Sequence, residues 1–353
     1  MNEISTGKRR STKRSLRRLV RPPPRRRRIV KHRPARSRGD PPVSTKSDKA
    51  ATLSRPQDPA PALALEAARY SPQCGCWRTG HFHVMPRPSR LRIVTWNIFF
   101  DEWRWQSRLD ALLAEIARWR PDLIALQEVR PRQLDYILAR NWVRADLASS
   151  DVNGTSVGPD GVLLLSRPAI LVPRLVPLPS FRHRKLLLAD VETAGGPLRV
   201  GVVHLESGRD AEDVRLRQLD IIRKSLPGTK TTLVVGDLNF DADSDPEEWH
   251  LPRDLVDCWR RIHPTEEGKT LDPAANALRD ELTRRSGKHR RAMRCDRVLL
   301  RSGPPGDWQA IDIRRIGTAS GAGRVDDFPS DHFGLVATIR CGSCSLAPKA
   351  HVG

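Results

Sequence analysis

From residue 90 onward the chain repeats one device: a short apolar run that ends on a side chain able to do chemistry. Residues 91–96 end at Asn97, and residues 123–126 are followed by Glu128. Residues 198–203 lead into His204, and residues 232–235 lead through Gly236 into Asp237. Runs of four to seven residues without polar alternation are too short for core helices and read as strands covered on both faces. Similar runs stand at 161–165, 186–191, 297–300 and 335–339. Between them lie amphipathic stretches. Residues 102–119 place Leu109, Leu112, Leu113 and Ile116 on one face and stop at Pro121, and residues 211–225 carry Leu216, Leu219 and Ile222, with Leu226 just beyond. Residues 131–140 have helical character, and 150–159 is a loop of Gly, Ser, Asn and Asp. This many strands with two or three helices does not suit a doubly wound sheet. The expected class is α/β, with two mixed β-sheets stacked as a sandwich and flanked by helices in four layers. Polar residues gathered at strand ends mark the usual position of an active site in such a fold.

Charge sets the partner. The net charge is +21 over 353 residues. Residues 1–50 hold 18 Lys and Arg against 3 Asp and Glu, which leaves only +6 for everything after them. That segment includes Arg25–Arg28 after three prolines, has little apolar content, and runs on to residue 60 as Pro, Ser and Ala. It cannot bury enough surface to offset its ordering entropy, so residues 1–60 are expected to be a disordered basic arm. Attraction to phosphate with counterion release suits it, and DNA is the expected partner. No apolar run approaches the roughly 20 residues that cross a bilayer. No hydrophobic region follows the basic start, and its prolines oppose a transit helix, so a cytoplasmic chain is expected, nucleoid-associated in a bacterium or nuclear in a eukaryote. A monomer is expected.

Four of the six cysteines form Cys74-x-Cys76, in a 61–89 linker, and Cys341-x-x-Cys344, in a 341–353 tail. If the first and last strands pair antiparallel, the two pairs approach each other. Four thiolates would then suit a structural Zn²⁺, with His81 and His83 as spare ligands. A disulfide or four unrelated thiols are the alternatives. Cys258 and Cys295 lie in apolar stretches and read as small core residues.

Asp237 and Asn239 stand two apart, so in an extended segment their side chains share a side. A carboxylate to orient or deprotonate water and an amide to donate to a charged oxygen are complementary on a phosphate. Gly-Asp-x-Asn is also a common turn. The pair Asp331-His332 places an imidazole beside a carboxylate that would fix its tautomer and favour its cation.

Thr95-Trp96-Asn97, Leu126-Gln127-Glu128-Val129, Gly236-Asp237-Leu238-Asn239 and Ser330-Asp331-His332 together resemble the motif set of the endonuclease/exonuclease/phosphatase superfamily, the DNase I-like fold. The resemblance covers residues 90–340. His204-Leu205-Glu206-Ser207, Arg215, Gln218-Leu219, Leu255–Trp259 and Phe328–Leu335 are similar to its tyrosyl-DNA phosphodiesterase branch, which releases tyrosine left on a DNA 5′ end by a stalled topoisomerase. The resemblance implies a Mg²⁺- or Mn²⁺-dependent phosphodiesterase acting in DNA repair or processing. Glu128 would be the metal ligand, with Asp331 facing the metal and Asn97 positioning both metal and Asp237. His204 and Asn239 would donate to the phosphate. His332 would stabilise the transition state with Asp296 as its orienting carboxylate, although the residues alone allow Asp331 that task. A phospholipid or small-molecule phosphodiesterase of the same fold is the alternative.

Substrate contacts are expected from Arg184, Arg215 and a basic loop before Asp296 that includes Arg285, Lys288, Arg290 and Arg291. Where the branch has Thr-Trp-Asp, this chain has Thr270-Leu271-Asp272, although Asn276 keeps its place. A leucine does not stack on a ring as tryptophan does, which weakens the expectation of tyrosyl specificity more than that of the chemistry.

Overall fold

The computed structural model describes residues 61–80, 87–158, 161–226, 228, 230–287, 290–303, 307–318 and 324–342. The expected arm, Lys288, Cys344, His81 and His83 lie outside the described residues.

Three short strands come first: β1 (Leu63–Ala64), β2 (Ala68–Ser71) and β3 (Cys76–Thr79). Then β4 (Arg90–Asn97) crosses through α1 (Trp105–Trp119) to β5 (Leu123–Val129), its parallel neighbour. The helices α2 (Pro131–Leu138) and α3 (Asn141–Asp146) lead to β6 (Ala148–Ser149), β7 (Gly161–Ser166), β8 (Ile170–Pro177) and β9 (Lys185–Val191). A second parallel crossover follows, β10 (Leu198–His204) through α4 (Glu212–Ser225) to β11 (Thr232–Asp237). The chain continues through β12 (Val256–Asp257), α5 (Cys258–Ile262), α6 (Ala277–Ser286), β13 (Asp296–Arg301), β14 (Trp308–Ile316) and β15 (Gly334–Cys341).

These strands make two mixed sheets. The seven-stranded sheet has the order β1-β8-β9-β10-β11-β13-β12, and the eight-stranded sheet β14-β15-β4-β5-β7-β6-β2-β3. Strand alternation assigns each apolar residue to one of two faces. Ile93, Leu123 and Leu164 of one sheet pack with Leu187, Val202, Val235 and Val298 of the other in the central core. Their neighbours Val94, Trp96, Ile124 and Leu126 face outward, under Leu109, Leu112 and Ile116 of α1 and Ile137 of α2. On the far side Leu188, Val203 and Val234 pack with Leu219 and Ile222 of α4. Both faces of both sheets are therefore covered, which is why the strand runs are continuously apolar. The result is the expected helix–sheet–sheet–helix sandwich.

The structure corrects several boundaries. Residues expected as a linker contribute β1, which pairs with β8, and the β2–β3 hairpin, which joins through β6. Two- and four-residue strands leave no periodic signal. The expected helix at 131–140 is the shorter α2, followed by α3. The basic segment before Asp296 begins in a helix, α6, which holds Arg285 and is capped at its start by the Asn276 side chain, and Arg290 and Arg291 come after it.

The zinc reading is also corrected. The first and last strands do pair antiparallel, Leu91 opposite Ile339. However, Cys74 and Cys76 are bonded to each other at the β2–β3 turn. From β2 to β15, which carries Cys341, there are five inter-strand steps, about 24 Å at ~4.8 Å each. One ion cannot bridge that gap.

Candidate active site at the ends of the parallel strands

The two crossovers deliver four side chains to one place. Asn97 is the last residue of β4, and His204 and Asp237 are register partners at the ends of β10 and β11. Glu128 sits where β5 shifts register between Gln127 and Val129, with a φ of 64°. That left-handed residue is a bulge, and it redirects the carboxylate off the regular pleat. Gly236 is required by the same packing: its φ is 136°, and a Cβ there would lie 2.0 Å from the Val203 carbonyl oxygen.

Asp237 is the hub. Its Oδ2 accepts a hydrogen bond from Asn97 Nδ2 at 3.0 Å and lies 3.4 Å from His204 Nε2 and 3.9 Å from His332 Nε2. Its Oδ1 accepts the backbone N–H of Asn239 at 2.8 Å. Asn239 departs from the extended geometry expected for it: its φ is 56°, and its side-chain amide donates to the Leu205 carbonyl at 3.0 Å. One amide hydrogen is thus used to hold the loop.

The two histidines are tuned in opposite directions. Burial, then the Arg184 guanidinium, pushes His204 well below the usual histidine range. Arg184 Nη1 stands 2.7 Å from His204 Nδ1. Since arginine only donates, Nδ1 accepts and the single ring proton is on Nε2, toward Asp237. His332 is also buried, but the charges of Asp296, Asp331 and Asp237 outweigh that burial and hold it well above its usual range. Its Nδ1 lies 2.8 Å from Asp296 Oδ2. Asp296 is therefore the partner within hydrogen-bond distance.

Asp331 is engaged elsewhere. Its Oδ2 lies 3.1 Å from Arg279 Nη1 of α6, and its charge acts on Glu128. Burial and then Asp331 raise Glu128 to about 7, against the Phe100 N–H that donates to its Oε2 at 3.0 Å. The nearest cationisable group to Glu128 is His204, at 4.0 Å from Oε1. Two neighbouring carboxylates with an amide alongside make a site of negative charge that Arg279 balances at Asp331 and His332 acts on at Glu128. Glu128, Asp331 and Asn97 offer hard oxygen donors of the kind that hold Mg²⁺ or Mn²⁺, so the residues fit such an ion. A softer donor group lies next to it: ligand atoms of Asp237, Cys295 and His332 fall within 4.8 Å of one another. Burial and then Asp296 push the Cys295 thiol up, which opposes its thiolate form.

Of the expected substrate contacts, two are engaged within the fold. Arg215 is buried, binds Glu247 in an ion pair and donates to the carbonyls of Glu206 and Gly208. Arg184 is buried on His204. The basic segment is partly neutralised by its own neighbours. Arg285 pairs with Glu281, Arg290 with Asp280, and Arg291 with Asp245.

Arg108 is a site-building residue absent from the sequence reading. It is buried and donates to the carbonyls of Asp101 at 2.8 Å, Trp103 at 2.9 Å, Phe99 at 3.1 Å and Pro329 at 3.2 Å. It thereby ties the loop after Asn97 to the loop that carries Asp331 and His332. Its signal was an arginine four residues before Leu112, on the apolar stripe of α1.

A fold of two mixed sheets with this carboxylate, amide and histidine set defines a class, and comparison with known proteins agrees. The model of the endonuclease/exonuclease/phosphatase family matches residues 94–332, and the chain belongs to that family. Within it, the chain is similar to tyrosyl-DNA phosphodiesterase 2 of Xenopus laevis, 31% identical over 259 residues, 70% of this chain and 66% of that protein. The same protein of Xenopus tropicalis is 30% identical over 258 residues, covering 70% and 65%. The chain spans just under two thirds of the length of these relatives. A crystal structure of Danio rerio TDP2 complexed with single-strand DNA product superimposes with a TM-score of 0.59 at 25% identity, over 71% of this chain and 99% of that one. Among the described residues, no helix is long and apolar enough to cross a membrane.

Proposed function

We propose that this chain is a Mg²⁺- or Mn²⁺-dependent phosphodiesterase that hydrolyses phosphodiester bonds at DNA 5′ ends, 5′-tyrosyl ends included. The observation that carries the reading is the environment of Asp237, a buried carboxylate flanked by one amide and two histidines of opposite charge preference. Glu128 and Asp331 would hold the ion, whose chemistry there would be neutralisation of phosphate charge and stabilisation of the leaving oxygen.

The chain's own groups do the remaining work. Asp237 Oδ2 orients the attacking water and takes its proton, with Asn97 Nδ2 fixing the carboxylate at 3.0 Å. His332, charged through Asp296, donates to the oxygen on which negative charge grows. His204 Nε2–H and the free amide hydrogen of Asn239 donate to the other phosphate oxygens. Arg108 and Ser330, whose Oγ donates to the Asn97 carbonyl at 2.6 Å, keep the loops in register. The basic arm supplies non-specific affinity for the acidic polymer.

A substrate panel tests this: 5′-tyrosyl single-stranded DNA, an abasic duplex, intact plasmid and sphingomyelin, each with Mg²⁺ or Mn²⁺. Turnover of the tyrosyl substrate, lost with EDTA and in Glu128→Ala, is the expected result. Turnover of sphingomyelin alone would refute the DNA reading.

A further inference from the structure

The turn between β8 and β9 does not belong to the catalytic group, yet it is bolted to it. Glu206 lies two residues after His204 and is buried. Its Oε2 accepts from Ser180 Oγ at 2.5 Å and from the Phe181 backbone N–H at 2.9 Å. Ser180 Oγ in turn accepts the N–H groups of Arg182 at 2.8 Å and Arg184 at 3.0 Å. Arg184 then reaches back to His204. A closed ring of hydrogen bonds therefore fixes residues 180–184 to the histidine that faces the scissile phosphate. At the tip, Phe181, Arg182 and His183 are all exposed, and His183 has a φ of 58°.

Phe181 is 53% exposed, a state that water disfavours for so large an apolar ring. Other aromatic rings near the site are covered by guanidinium groups: Phe99 by Arg108, Phe100 by Arg130 and Trp103 by Arg104. Among the described residues Phe181 has no such cover and no aromatic partner. Leu271, whose position the sequence marked for its missing aromatic, is buried and hydrogen-bonded through its backbone to Met293. Trp249 is more exposed than Phe181, but its turn is held by Glu247 to Arg215 and by Glu248 to Arg297, with no bond to a catalytic side chain.

We propose that Phe181 is a specificity-determining platform that stacks on a nucleobase next to the scissile phosphate, with Arg182 and His183 facing the backbone of the same strand. The proposal rests on the DNA reading above and names the part of the substrate this turn recognises. A rigid aromatic face beside an arginine is the pairing that single-stranded nucleic acid favours, since every base offers a π-face and every linkage a negative charge. Because the turn is held in place by hydrogen bonds to Glu206, Ser180 and His204, little ordering entropy opposes the contact.

The experiment compares wild type with Phe181→Ala and Phe181→Trp on two chromogenic oligonucleotides that carry a 5′-p-nitrophenyl phosphodiester. One has normal bases, and the other is base-less over its first two nucleotides. For the normal substrate Phe181→Ala raises KM about 5- to 100-fold with kcat within about threefold, and Phe181→Trp restores KM. For the base-less substrate all three proteins share one KM. Thermal unfolding midpoints stay together, since the ring is exposed. An unchanged KM in Phe181→Ala, or an equal rise on both substrates, overturns the platform. If wild type cleaves neither oligonucleotide, the functional reading fails separately. In that event the affinity of fluorescein-labelled oligothymidylate decides, and equal dissociation constants for wild type and Phe181→Ala overturn the proposal.

Discussion

Replacing Asp296 by Asn keeps the size of the side chain and removes its charge. Asp296 is fully buried, and its Oδ2 stands 2.8 Å from His332 Nδ1. At an effective dielectric of about 20, opposite unit charges at that distance attract by about 6 kcal/mol before desolvation. Removing one partner of such a buried pair costs about 3–5 kcal/mol net. Two results follow. With the carboxylate gone, the histidine loses the largest charge that opposes its burial, so its proton affinity falls and the charged donor to the transition state is weakened. The cost is about 100- to 1,000-fold in kcat. The pH profile also changes. Wild-type His332 keeps its proton through neutral pH, so activity limited by it falls only on the alkaline side; in Asp296→Asn the fall moves to lower pH, and acidification partly restores turnover. Stability follows the same sign. A raised histidine pKa contributes fully below the unfolded value of about 6.5 and is lost as pH rises through the folded value. The assay is kcat/KM against pH on a 5′-p-nitrophenyl oligonucleotide with Mg²⁺, beside thermal unfolding of both proteins. Activity within threefold of wild type at pH 7.5 would refute the argument. So would an unmoved alkaline limb in Asp296→Asn together with a shifted one in Asp331→Asn, which would make Asp331 the orienting carboxylate.

Gly236→Ala should lose at least about 3 kcal/mol in urea unfolding, because its Cβ would overlap the Val203 carbonyl at a φ few L-residues adopt; a normal midpoint would show that β10 and β11 yield. Arg215→Met breaks the pair with Glu247 and should destabilise by about 3–5 kcal/mol while leaving the DNA dissociation constant of the folded protein unchanged. Weakened DNA binding at unaltered stability would restore Arg215 as a substrate contact. Asp243, although partly buried, is held at about 2 by Arg260, Arg294 and Lys269; despite burial Asp241 is depressed by the Arg294 backbone N–H, the Ser244 hydroxyl and Lys269, and Asp257 by Arg297 and Arg294. Their contribution is present above the unfolded value of about 3.9 and is lost as pH falls from about 4 toward about 2. An acid-unfolding curve with no transition in that window would contradict it.

How much of this was legible in the sequence depended on period and length. The long apolar strands and α1 declared themselves because both sheet faces are buried and α1 carries an unbroken stripe. Strands β1, β2 and β3 did not, since pairs and quartets of residues have no period. The basic segment was read by charge as a loop, while its acidic residues at 280 and 281, spaced for ion pairing along a helix, announced α6. Site residues at strand ends were readable, whereas the second partners of Arg184, Arg215 and Asp331 are tertiary. No spacing rule places Arg184 on His204 or Arg279 on Asp331. Cys74 and Cys341 failed for the same reason: adjacency of two strands was right, but the hairpin bearing Cys74 lies at the opposite end of that sheet.

The order of assembly has a consequence for biosynthesis. Asn97 and Glu128 come from one crossover, His204 and Asp237 from the other, and His332 enters only with the segment that leads into β15, which pairs with β4 across more than two hundred residues of chain. A polypeptide still growing on a ribosome therefore carries most of the hydrolytic groups without their arrangement. It has no competent centre until Ser330 reaches the Asn97 carbonyl and Trp96 Nε1 reaches the His332 carbonyl. On the proposed function, a chain drawn to nucleic acid by a basic arm would be synthesised beside RNA without a competent centre, and closure of the last strand would arm it.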